Sequence, residues 1–114
     1  MNKAQFSKFV LRDAGCYHCG KTYAIAPNHR ANRGMGGSKE RDTPSNIVVL
    51  CSYMNGLIES DPRMAQMARE YGWKLRSWED PLVEPVFDFQ TGMWYVLNDD
   101  YTRQVFIEGK HDTN

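Results

Sequence analysis

Residues 22–30, TYAIAPNHR, and residues 46–59, NIVVLCSYMNGLIE, decide how this chain is read. The first stretch opens on a short strand-like run at 22–26 and ends on Pro27, Asn28, His29 and Arg30. In the second, Asn46 to Cys51 is β-branched and apolar, which reads as another short strand after a Pro-Ser-Asn turn. From about Ser52 to Tyr71 the pattern is helical, broken near Ser60-Asp61-Pro62, where Ser60 can cap and Pro62 can occupy the first turn of a new helix. Gly72 is placed to end that second helix. Strand, loop, strand, helix is a hairpin packed on a helix.

Between the strands runs RANRGMGGSKERDTPS, rich in glycine and charge and therefore a loop. It lacks the Gly-Lys-Ser/Thr ending and following helix of a P-loop. Upstream, KAQFSKFVLR at 3–12 spaces Phe6, Phe9 and Val10 as a helix would, though an extended lead-in fits as well. Downstream, VEPVFDF, MWYVL and TRQVFI, separated by Thr91-Gly92 and Asn98-Asp99-Asp100 turns, read as an antiparallel meander. Its aromatics, with Trp73 and Trp78 before it, are expected as core and cover. The segment is acidic, whereas a base-stacking platform sits in a basic groove.

At 114 residues, 41% hydrophobic and 25% charged, the chain is expected to form one α+β domain. Residues 1–72 would carry the hairpin-helix core with its lead-in, and 73–114 the appended meander. No run of about 18 apolar residues occurs, and charges interrupt the N-terminal MNKAQFSKFVLRDAG. Neither a membrane span nor a signal peptide is expected, which implies a cytoplasmic protein. The net charge of zero is unevenly spread: residues 1–42 hold eight Lys/Arg against three Asp/Glu, and residues 81–114 two against six. A basic N-terminal half suits a polyanion such as DNA.

Three cysteines, an odd number, argue against a closed disulfide framework and point to reduced thiols. Cys16 and Cys19 form a C-x-x-C knuckle, and Cys51 stands where a zinc ribbon would begin its second knuckle, but Met54 takes the fourth position. Two arrangements fit: a structural zinc on Cys16, Cys19 and Cys51 that has lost one thiolate, or a ribbon-shaped core held by apolar packing. The second is preferred, because a structural zinc wants four ligands. His18, between the two knuckle cysteines, is expected to point away from them.

Asn55 and Glu59 are four apart and share one helix face. With Asn28 they offer three oxygen-bearing side chains able to converge on one hard divalent cation, Mg²⁺ or Mn²⁺, beside His29. The ordered set C-x-x-C, NHR-x-x-RGMGGS, SN-x-V-x-LC and N-x-x-x-E, spanning residues 16 to 59, resembles the HNH endonucleases, in particular the small HNH proteins of phage genomes.

The resemblance implies a ββα-metal (His-Me finger) core with a degenerate zinc-ribbon-like knuckle. It also implies hydrolysis of DNA phosphodiester bonds, with host cytoplasm as the setting for a phage protein. It places the general base on His29, base positioning on Asn46, and metal binding on Asn28, Asn55 and Glu59. Arg30, Arg33, Lys39 and Arg41, flanking the site, would hold backbone phosphates. Asn28 departs from the Asp or His common in that family, and Asn55 from its last histidine. A catalytically weakened DNA-binding module therefore stands as the alternative, with a phage accessory protein acting through a protein partner as a further one. One site per chain would nick, and double-strand cleavage would require a homodimer or a protein partner.

Overall fold

The computed structural model describes residues 1–32 and 42–107. Among the described residues the chain is α+β, with three α-helices and two antiparallel sheets. Helix α1, Lys3–Asp13, starts where the Asn2 side chain accepts a hydrogen bond from the Gln5 amide at 2.8 Å. It ends where Ala14 turns left-handed at φ 58° and donates its N–H to the Val10 carbonyl. Those two caps decide for a helix over an extended lead-in. Phe9 on its inner face is buried with Ile47 and Val49.

Strand β1, Ile25–His29, pairs antiparallel with β2, Ile47–Cys51, in a register running from Ile25 opposite Cys51 to His29 opposite Ile47. The first strand therefore lies three residues later than its composition suggests, and Asn28 and His29 belong to it. The reason is Pro27, which reads as a strand breaker but sits opposite Val49. The Val49 N–H donates to the Asp13 carboxylate at 3.1 Å and its carbonyl accepts from Tyr17 N at 3.1 Å. Val49 thus turns its main-chain groups away from β1, and a proline facing it forfeits no ladder bond.

Helix α2, Ser52–Ser60, follows β2 directly, and α3, Pro62–Glu70, follows it after one residue. The cap of α3 is Asp61 rather than Ser60: the Asp61 carboxylate accepts from Arg63 N at 2.9 Å, while the Ser60 hydroxyl donates back to the Gly56 carbonyl. Strands β3, Val86–Asp88, β4, Met93–Leu97, and β5, Arg103–Val105, form the meander in that order. A second and larger cluster joins β2, α2, α3, β3 and β4, with Val48, Leu50, Met54, Ile58, Ala68, Trp73, Val86, Tyr95 and Leu97 buried together. Trp78 stands outside it, 78% exposed and lying against the Arg76 guanidinium at 5.8 Å.

Arg30 requires a correction. It was expected on the loop, holding phosphate, but it is fully buried. Its guanidinium donates to five main-chain carbonyls: Gly72 at 2.8 Å, Ser45 and Pro81 at 3.0 Å, Glu84 at 2.7 Å and Pro85 at 3.5 Å. A planar fork with five N–H donors is spent on the fold itself. Burial draws Arg30 down to about 10, still charged at neutral pH. The other three residues of that set, Arg33, Lys39 and Arg41, lie outside the described residues.

Replacing Arg30 with Met should cost at least about 3 kcal/mol of unfolding free energy, because it strands buried carbonyls of distant segments. Urea denaturation followed by tryptophan fluorescence measures it; a loss below about 1 kcal/mol would show that the carbonyls find other donors.

Candidate functional site

Strand β1 ends, α2 begins its second turn and the segment after α3 passes by, all at one place. A cleft of about 360 Å³ opens there, lined by Pro27, Asn28, His29, Asn32, Asn55, Glu59 and Lys74. Asn28, His29, Asn55 and Glu59, all singled out in the sequence, are thus brought together. Asn55 and Glu59 come from one face of α2, as their spacing predicts.

Asn28 is 2% exposed, and its Nδ2 donates to the Trp73 carbonyl at 2.8 Å. A carbonyl can only accept, so this bond fixes which end of the amide is oxygen. The Asn28 Oδ1 is then left as a buried acceptor with no hydrogen-bond partner among the described residues. Such an atom costs about 1–3 kcal/mol if nothing engages it.

The His29 ring makes its hydrogen bond to Asp42, Nε2 to Oδ1 at 2.8 Å, a contact the sequence reading did not anticipate. An ionised carboxylate only accepts, so in the neutral ring Nε2 carries the proton and Nδ1 keeps its lone pair. Asn46, expected to orient this ring, clamps the chain two residues on. Its Oδ1 accepts from Ala31 N at 2.8 Å and its Nδ2 donates to Ala31 O at 2.9 Å. Buried completely, Asn46 fixes where the strand leaves the hairpin, while Asp42 engages the imidazole.

Lys74 is a second residue the sequence did not reveal. Its side chain is 15% exposed; its Nζ donates to the His29 carbonyl at 2.8 Å and stands 3.8 Å from a Glu59 carboxylate oxygen. Burial lowers the Lys74 ammonium from its ordinary range, and the Glu59 charge pulls the other way. Glu59, its side chain 73% exposed, faces water on its other side. No local pattern marks Lys74, since it reaches the cleft only because residues 73–75 run beside 28–31.

A second cluster lies at the opposite end of the hairpin. The sulfurs of Cys16, Cys19 and Cys51 all lie within 4.8 Å of one another, an arrangement that could hold a metal ion. Two of them already accept main-chain hydrogen bonds: Cys16 Sγ from His18 N and Cys51 Sγ from Met54 N, both at 3.3 Å. Burial pushes the Cys16 thiol up to about 11, against the Cys19, Cys51 and His18 main-chain N–H groups. Cys19 is exposed; what burial it has opposes ionisation, but the Lys21 amide, the neighbouring thiols and the Lys21 charge bring it down. Met54 packs in the same apolar cluster as Cys16 and Cys51. The His18 ring meets Trp73 and Phe89 edge-on, at 5.9 and 6.0 Å between centroids.

Among the described residues no helix is long and apolar enough to cross a membrane. No protein-family model matches the chain, and neither a curated protein nor a solved structure does.

If the thiols take a metal, Co²⁺ titrated into reduced protein should produce a sulfur-to-metal charge-transfer band. Its apparent affinity should rise with pH, because binding displaces thiol protons. Cys51→Ser should weaken binding by more than the roughly 10- to 100-fold that an outer partner costs. A flat titration of the wild type would leave the thiols as packing groups.

Proposed function

We propose that the cleft hydrolyses DNA phosphodiester bonds in the manner of an HNH endonuclease, with β1, β2 and α2 as its ββα-metal core. The observation that carries this reading is the Asn28 Oδ1, without a hydrogen-bond partner among the described residues and buried in the same cleft as a histidine whose Nδ1 keeps its lone pair. The donor set fits a hard cation: amide oxygens of Asn28 and Asn55 and the Glu59 carboxylate are all oxygen ligands, suited to Mg²⁺ or Mn²⁺. When bound, such an ion supplies charge stabilisation to the phosphate and the leaving 3′ oxygen.

The chain's own residues do the rest. His29 Nδ1 accepts the proton of a water whose oxygen forms the new bond to phosphorus, while the bond to the 3′ oxygen breaks and its electron pair leaves with that oxygen. Asp42, on Nε2, holds the tautomer in which Nδ1 is the base and stabilises the ring once it is protonated. Asn46 keeps the end of β1 in register through Ala31. For the thiol cluster the best fit is a zinc ion on Cys16, Cys19 and Cys51 with its fourth position not supplied by a thiolate.

One observation favours a second reading, a module that binds DNA without cutting it: the Lys74 ammonium lies beside Glu59, the one carboxylate among the described residues lining the cleft. Supercoiled-plasmid nicking separates the two. Conversion to open circle with Mg²⁺ or Mn²⁺, abolished by EDTA and lowered at least about 10²-fold in His29→Ala with DNA binding retained, supports hydrolysis. Full activity in His29→Ala removes the histidine from the mechanism. A shifted but uncut plasmid with every metal supports the binding module.

A further inference from the structure

The cleft does not end at Lys74. A second depression of about 330 Å³ shares Asn32, Glu59 and Lys74 with it and continues along α3 past Ile58, Ala65, Arg69, Leu75 and Arg76. The two form one groove, entered by three cationic side chains: Lys74 at the junction, and Arg69 and Arg76, both exposed, beyond it. Against them the described lining residues offer one carboxylate, Glu59. Arg69 projects from the last turn of α3. The nearby Glu79 carboxylate is engaged with the Arg76 main-chain N–H at 2.7 Å.

Lys74 differs in kind from the other two. Its side chain is mostly enclosed, and its ammonium is held by the His29 carbonyl at 2.8 Å, beside the proposed base. A cation anchored there has donors left over, since an ammonium carries three and the His29 carbonyl takes one. A phosphate is the ligand such a point charge binds.

We infer that the groove from Asn28 to Arg76 is the track of a phosphodiester backbone, with Lys74 holding the phosphate next to His29 and Arg69 and Arg76 the phosphates beyond it. This rests on the proposed function and supplies what that reading lacked once Arg30 proved to be internal: a described surface for the DNA backbone. Lys74, Arg69 and Arg76 supply the neutralising charge themselves, so DNA binding needs no metal.

The test is fluorescence anisotropy of a labelled duplex in EDTA over a salt series, with plasmid nicking in Mg²⁺ alongside. The proteins are wild type, Lys74→Met, Lys74→Arg and the double variant Arg69→Gln/Arg76→Gln, each checked for folding by circular dichroism. The slope of log affinity against log salt should fall by about one for Lys74→Met and by about two for the double variant, and Lys74→Arg should keep the wild-type slope. The double variant alters only exposed side chains, so it decides the matter even if Lys74→Met unfolds. Wild-type slopes in both Lys74→Met and the double variant, with DNA still bound, overturn the track and leave the hydrolytic reading standing. Reduced slopes in a protein that never nicks support the track and overturn hydrolysis. Absence of DNA binding by the wild type overturns both.

Discussion

The fan of hydrogen bonds from Arg30 holds the molecule together at the point where its pieces meet. Five carbonyls from residues 45, 72, 81, 84 and 85 turn inward on one guanidinium. Left unpaired, the Gly72 and Ser45 carbonyls would be buried polar groups without water, and a single neutral side chain has too few donors to serve all five. Gly72, at φ 76° and packed so closely that a Cβ would collide with the Pro85 carbonyl, lets the chain approach this hub. From there residues 73–75 are laid along the end of β1: Leu75 N donates to Arg30 O at 2.7 Å, and Asn28 and Lys74 bond across to Trp73 and His29. The cleft is one wall of this arrangement, so its geometry follows from a charge that never reaches solvent.

The electrostatics of that cleft differ from those of a carboxylate-lined metal site. Asn28 and Asn55 contribute dipoles, Glu59 a single mostly exposed charge, and Lys74 a positive charge of equal size. A hard cation entering alone gains little formal attraction there. On the proposed reading, the missing negative charge arrives with the phosphodiester, so ion and substrate bind each other's site. The same balance explains why a carboxylate at position 28 is not required for the chain to fold: the Asn28 Nδ2 bond to Trp73 needs an amide, and an aspartate there would face the carbonyl with a second acceptor.

Local patterns made much of the fold legible. A β-branched apolar run marked β2, alternation and turn residues marked the meander, and Ser60-Asp61-Pro62 marked the break between α2 and α3, because those features depend on neighbours in sequence. The start of β1 was misplaced because Pro27 argues against a strand unless its partner turns its main-chain groups away, and that is known only once Asp13 and Tyr17 are seen bonding Val49. Asn28, His29, Asn55 and Glu59 were identified from motif order, and they do share one cleft. Arg30 looked like its basic neighbours in the loop, yet its role is set by carbonyls up to 55 positions away. Asp42 and Lys74 were missed for the same reason, since an ordinary charged residue gains a place in a site only through contacts that no periodicity records.

The thiol cluster and the cleft occupy opposite ends of one short hairpin, Cys51 facing Ile25 at one end and His29 facing Ile47 at the other. At about 3.3 Å per residue the ends are roughly 13 Å apart. Helix α2 links them, because it starts on Cys51, whose sulfur caps it through Met54 N, and carries Asn55 and Glu59 back toward Asn28. The direction of the helix is therefore set at the thiols and used at the cleft. A metal drawing the three sulfurs together would act on the Cys51 cap first and, through a rigid nine-residue helix, on the placement of Asn55 and Glu59. In a chain with so small a core, the apolar packing of Met54 beside Cys16 and Cys51 already holds that cap in place. A metal there would tighten a helix origin that packing has set, and its effect would be felt at the far end of the hairpin.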